Sequence, residues 1–190
     1  MIRTVVMALL VLTARAVAAQ DSGAVRLRFS LEDGAHTGHR APAVVLPYAT
    51  ADSAGPATQP FDLAREIDRV VILIFARKDG APGSADDWRA IAAHESRLPP
   101  GVIVVGITAD SVGEHVRFAR ELQLPYKLLS DRNSSVTRRY GVMRGGKVAP
   151  LLVVVGRGGV VRYVDPQFTP RDAASYVQLD AAIRAARERP

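Results

Sequence analysis

The chain has 190 residues, enough for one domain with a sizeable core, and 48% of them are hydrophobic, an ordinary share for a globular protein. It contains no cysteine, which excludes disulfides, thiolate metal sites, cysteine catalysis and a lipid-modified N-terminal cysteine. The formal charge is +6, carried mostly by scattered arginines; a solvated surface accounts for that spread more simply than a basic binding face, and no nucleic-acid partner is expected.

Residues 1–19 read as a secretory signal. Arg3 is the charged start, Val5 to Leu12 the apolar stretch, and Ala16-Val17-Ala18-Ala19 offers small residues at two cleavage registers. Its removal takes away Arg3 and Arg15 and no acid, leaving about +4. The apolar run is too short for a full span and no second run approaches spanning length, so an exported protein without stable membrane insertion is expected, periplasmic or extracellular.

Residues 20–37 are a polar lead that includes an alternating strand, Val25 to Phe29, and the domain proper is read as 38–190. Glu32 to Arg40 is a turn region carrying His36 and His39; Ala43 to Leu46 is extended; Thr50 to Pro60 is a loop; Phe61 to Ile67 forms one helical turn or two. Val70 to Phe75 is a short, β-branched apolar run, the mark of a strand buried on both faces. A polar loop, Ala76 to Gly83, leads into a helix over Ser84 to Leu98, with Ser84 and Asp87 at capping-box spacing. Pro99-Pro100-Gly101 stops it. A second buried strand, Val102 to Ile107, precedes an amphipathic helix over Ser111 to Leu122. Tyr126 to Leu129 is extended, and Asp131 to Tyr140 is a short helix that Asp131 is placed to cap. Leu151 to Val155 and Val160 to Val164 are strands joined by the turn Gly156 to Gly159, and Arg171 to Arg187 is a last amphipathic helix. The order βαβα, then a β-hairpin and a terminal helix, implies an α/β thioredoxin-like fold, a central mixed sheet flanked by helices.

Several segments, in this order, resemble the peroxiredoxins of the alkyl hydroperoxide reductase and thiol-specific antioxidant group. They are Gly38-His39-Arg40-Ala41-Pro42, Val70 to Phe75, Pro82-Gly83, Val105 to Asp110, Phe118-Ala119, Leu124-Pro125-Tyr126, Leu128 to Asp131 and Tyr140-Gly141-Val142. The resemblance implies a thioredoxin fold and thiol peroxidase chemistry. It places Arg77, Ala81 and Ser84 where the family carries proline, threonine and the peroxidatic cysteine, and Ala149-Pro150 where an arginine precedes the third core strand. Thioredoxin-type proteins carry a cis-proline at that place, which implies a cis peptide at Pro150, the alternative being an ordinary trans proline opening the strand.

The residues themselves point away from that chemistry. A serine hydroxyl is not ionised at neutral pH and forms no sulfenic acid, and Ala81 offers no hydroxyl. Nor does Ser84 have a base nearby in sequence: His94 lies about three helical turns away, and His36, His39 and His115 reach it only through tertiary folding. The site is therefore read as dismantled, with no confident catalytic residue, and Ser84 as a helix cap. Arg77, Asp79, Ser84, Trp88 and Pro150 are the candidates for binding a ligand or partner. Trp88 also reads as core, and Asp79, Asp86 and Asp87 as helix-start acids complementing the dipole. His36 and His39 with Glu32 and Asp33 form a polar turn rather than a metal site, so neither metal nor cofactor is expected. The expectation is a binding module for an unidentified protein or small molecule, with a homodimer left open; the alternative is residual redox or hydrolytic chemistry at the Arg77–Ser84 loop.

Overall fold

The computed structural model describes residues 34–188. The segment read as a secretory signal, the strand read at Val25 to Phe29, and Glu32 and Asp33 lie outside them.

The described residues build one six-stranded sheet and two small two-stranded sheets. In chain order the strands are β1 (Val45–Leu46), β2 (Tyr48–Ala49), β3 (Phe61–Asp62), β4 (Val70–Phe75), β5 (Val102–Thr108), β6 (Lys127–Ser130), β7 (Met143–Arg144), β8 (Lys147–Val148), β9 (Leu151–Val155) and β10 (Val161–Asp165). The helices are α1 (Ser84–Glu95), α2 (Val112–Leu122), α3 (Ser135–Arg139) and α4 (Ala173–Glu188). The main sheet runs β10-β9-β4-β5-β6-β2. β4, β5 and β6 are parallel, while β9, β10 and β2 pair antiparallel. This is the mixed sheet expected of a thioredoxin-like fold.

Every residue of β4 is buried, because β5 and β9 flank it and both faces are covered. The two-residue period of the strand sends Val71, Leu73 and Phe75 into one core, and Val70, Ile72 and Ile74 into the other. The first core is closed by Leu46, Phe61, Leu63, Val136 and Tyr140, from the β1–β3 layer and the α3 region. The second is closed by Trp88 and Ile91 of α1, Ala119 of α2, and Leu179 and Ile183 of α4. Trp88, the single tryptophan, can lie against the sheet because β5 has a glycine beneath it. A Cβ on Gly106 would stand 2.5 Å from the indole and 2.7 Å from Leu128.

α2 starts at a capping box that the sequence reading did not single out. Ser111 Oγ accepts from the Glu114 N–H, and the Glu114 carboxylate accepts from the Ser111 N–H at 2.7 Å. Asp131 serves α3 as expected: its buried carboxylate accepts from the Val136 N–H at 3.3 Å and the Thr137 N–H at 2.7 Å. Other expectations shift. The helix read through Leu98 ends at Glu95, and α3 spans only Ser135–Arg139. Phe61 and Asp62 join a strand before a 3-10 turn at Leu63–Glu66. The β7–β8 hairpin carried no apolar periodicity from which to read it. No described helix is long and apolar enough to cross a membrane.

Candidate functional site

The parallel strands β4 and β5 end beside each other, Phe75 against Ile107, so the loops after them meet at one edge of the sheet. Sites in open α/β sheets form at such carboxyl ends. The loop after β4 carries Arg77 to Gly83 into the N-terminus of α1. That helix is not capped by Ser84. Its N-cap is Gly83, in the left-handed region at φ 79°, with no side chain to offer, and Ser84 is the first helical residue. The Ser84 N–H is bound to the Ala81 carbonyl and the Asp87 N–H to the Gly83 carbonyl. The Ala85 and Asp86 N–H groups, which a capping side chain would normally satisfy, have no backbone acceptor among the described residues. The expected Ser84–Asp87 capping box is thus replaced by an uncapped helix start.

Ser84 is 5% exposed and faces a chamber of about 70 Å³. Its hydroxyl has no hydrogen-bond partner among the described residues. Arg77, Trp88 and Pro150 also line the chamber, so these sequence candidates converge. Ile74, Ile91, Leu151 and Phe168 make the walls apolar. The Arg77 guanidinium donates to the Pro82 carbonyl at 3.2 Å, across the loop. The Ala149–Pro150 peptide is trans, since the described chain contains no cis peptide; this corrects the expectation of a cis bond. Trans is the ordinary preference of X–Pro bonds, and here Ala149 is fixed by its N–H to the Val142 carbonyl at 2.9 Å. Trp88 is core as well as wall: it is 1% exposed, and its carbonyl accepts from Tyr126 Oη at 3.0 Å.

Asp79 departs from its sequence reading. It does not serve the α1 start but turns inward, 5% exposed, toward α2. His115 of α2, fully buried, places Nδ1 2.6 Å from Asp79 Oδ2, a geometry in which Nδ1–H donates to the carboxylate. The Asp79 N–H donates to Asp110 Oδ2 at 2.9 Å, and Thr108 Oγ1 donates to the same oxygen at 2.6 Å. Burial raises the Asp79 carboxyl above the ordinary carboxylate range; the His115 hydrogen bond and charge pull it partly back, and Asp110 and Glu114 push it up. Asp79 Oδ1 and His115 Nε2 are buried without partners. This network pins the loop that carries Arg77 and Ser84 to the β5–α2 connection. On its outer side, Arg77, Asp79 and Glu114 border an open groove of about 920 Å³ reaching the β7–β8 hairpin.

Sequence reasoning missed Arg171. It reaches from the segment before α4 to Asp87 on α1, Nε to Oδ1 3.0 Å, and one guanidinium nitrogen lies 3.9 Å from where a Gly83 Cβ would be. Nothing in the spacing of residues 84 apart announces that contact. His94 does not approach Ser84: it bonds Asp180 at 2.9 Å and stacks on Tyr176. His36 and His39 meet edge to face at 6.2 Å, and no group of three metal-ligating side chains occurs among the described residues.

Residues 37–164 match the AhpC/TSA family. A putative peroxiredoxin bcp of Coxiella burnetii is 41% identical over 76 residues, 38% of this chain and 49% of that protein. Chloroplastic peroxiredoxin Q of Sedum lineare is 31% identical over 129 residues, 65% of this chain and 68% of that protein. The chain spans about half the length of most of the curated relatives it matches. Among solved structures, the peroxidoxin BcpB of Mycobacterium tuberculosis superposes with a TM-score of 0.67 at 25% identity, covering 80% of this chain and 99% of that one. With the thioredoxin-like sheet and a chamber at the start of α1 that holds a serine and no sulfur, these likenesses settle the family: the chain belongs to the AhpC/TSA, peroxiredoxin-like proteins.

Proposed function

We propose that this chain is an exported member of its family that binds a small ligand in the residual thiol chamber and does not reduce peroxides. The observation that carries the reading is Ser84: it occupies the first turn of α1, buried in a formed chamber, in a chain without cysteine. Peroxide reduction by a thiol route needs a thiolate that becomes a sulfenic acid and is then reduced by a second thiol. The only sulfurs are the thioethers of Met1, Met7 and Met143, and Met1 and Met7 fall within the signal segment. Hydrolytic use of Ser84 lacks a base, since its hydroxyl contacts no imidazole or carboxylate, His115 is committed to Asp79, and His94 to Asp180. The chamber is enclosed by aromatic and aliphatic walls, which suits a small molecule better than a protein surface.

The test is a peroxide-consumption assay on the purified protein with hydrogen peroxide and an organic hydroperoxide, using thioredoxin or dithiothreitol as reductant. No turnover above the protein-free control is expected; steady consumption by the metal-free protein overturns the reading. Export rests on residues 1–19. Mass spectrometry of the protein recovered outside the cytoplasm is expected to find a start after Ala18 or Ala19, and an intact Met1 there refutes it.

A further inference from the structure

We infer that the chamber at the start of α1 is a binding site for a short-chain monocarboxylate, its headgroup held by the uncapped helix and its alkyl tail in the apolar chamber. This deepens the proposed function and rests on it.

The headgroup argument begins with unsatisfied donors. Gly83 caps nothing, so the Ala85 and Asp86 N–H groups have no backbone acceptor among the described residues. The Pro82 carbonyl, four residues before Asp86, is occupied by Arg77 instead. Such N–H groups at the positive end of a helix dipole favour an anion. A bare helix start is weak evidence, but Ser84 is an independent sign. Its hydroxyl is an O–H donor on a side chain 5% exposed, facing the chamber with no protein partner among the described residues. That hydroxyl is not sealed in protein but opens on the chamber, where a ligand acceptor can receive its hydrogen bond.

The charge balance at the rim agrees. Arg77 borders the chamber and spends its guanidinium on a carbonyl, so its charge is not neutralised by a carboxylate. Arg171 stands over Gly83 and is held by Asp87. Asp86, the other acid of the first turn, is drawn to Arg89 at 3.1 Å. The rim therefore carries an unmatched positive charge, and a planar carboxylate matches the guanidinium fork.

The rest of the chamber selects the tail. Beyond Ser84 and Arg77 the lining includes Ile74, Trp88, Ile91, Leu151 and Phe168, and its one carboxylate, Asp87, is already paired with Arg171. A volume of about 70 Å³ equals roughly two waters at ~30 Å³ each, so it admits a tail of about two heavy atoms with the headgroup held at the mouth. Inorganic oxyanions would satisfy the donors and leave that apolar space unused.

The test is titration with sodium acetate, propionate and butyrate at constant ionic strength, read by fluorescence of the single Trp88, which lines the chamber. Propionamide, 1-propanol and sodium sulfate are the controls. Propionate is expected to bind at least tenfold more tightly than its amide, its alcohol or sulfate. Ser84→Ala and Arg171→Gln are each expected to weaken propionate at least fivefold with the melting midpoint unchanged. Asp87→Asn, which frees the Arg171 guanidinium, is expected to tighten it. Equal binding of propionate, propionamide and propanol overturns the carboxylate assignment while the small-ligand reading stands. Preference for sulfate overturns the role of the apolar tail. A Trp88 signal that responds to none of these compounds overturns both the assignment and the small-ligand reading of the chamber.

Discussion

Replacing His115 by leucine tests whether the buried pair with Asp79 holds the site loop. Leucine is close to histidine in size and apolar, so no large cavity enters the measurement. The loss comes from Asp79. Its Oδ2 loses the donor 2.6 Å away, and its Oδ1 has no partner already, in a residue 5% exposed. Leaving a buried acceptor without its donor costs about 1–3 kcal/mol, more where the acceptor is charged, against a total stability of roughly 5–15 kcal/mol. The effect depends on pH, and its sign follows from the cause. Burial already holds the Asp79 carboxyl above its ordinary value, and His115 is what draws it down. Without His115 the carboxyl rises further. A group raised in the folded state contributes stability that is present below its unfolded pKa and is lost as pH climbs through the folded value. The deficit of His115→Leu is therefore largest near neutrality and shrinks toward about pH 4. Adding Asp79→Asn removes the stranded charge and is expected to return at least ~1 kcal/mol. Urea denaturation followed by Trp88 fluorescence and far-ultraviolet circular dichroism, at several pH values, measures all of this. A loss below about 1 kcal/mol, or one that does not change with pH, refutes the account of Asp79 as a buried carboxylate dependent on His115.

Two further substitutions address the site from its floor and its mouth. Gly106→Ala drives a methyl to within 2.5 Å of the Trp88 indole, and both Trp88 and Leu128 are buried too deeply to yield, so a loss of about 1–3 kcal/mol is expected in thermal or urea unfolding; an unchanged or raised midpoint would show that the indole can move. Ser84→Ala is expected to change stability by less than about 0.5 kcal/mol, because Ser84 is not the cap and alanine favours the helix; a loss of about 1 kcal/mol or more in the same assay would restore it to a capping role.

The six apolar residues Val70 to Phe75, the run Val102 to Ile107 and the run Leu151 to Val155 were legible as strands because burial on both faces demands continuous β-branched and aliphatic sequence. The Asp131 cap was legible because a side chain bonds a backbone a few residues away, and local spacing records that. The absence of cysteine was likewise decided by the sequence alone. Tertiary structure decided the remainder. Ser84 and Asp87 have capping-box spacing, yet the left-handed Gly83 takes the cap, because the incoming loop path sets which residue has helical angles. Asp79 and Asp87 stand alike in sequence beside the same loop, but one is buried against His115, 36 residues on, and the other meets Arg171 at the surface. Those partners come from separate elements that only the closed sheet and its covering helices bring together. Side-chain pairing over such separations leaves no periodicity in the chain, whereas burial of a strand or a stripe of helix does.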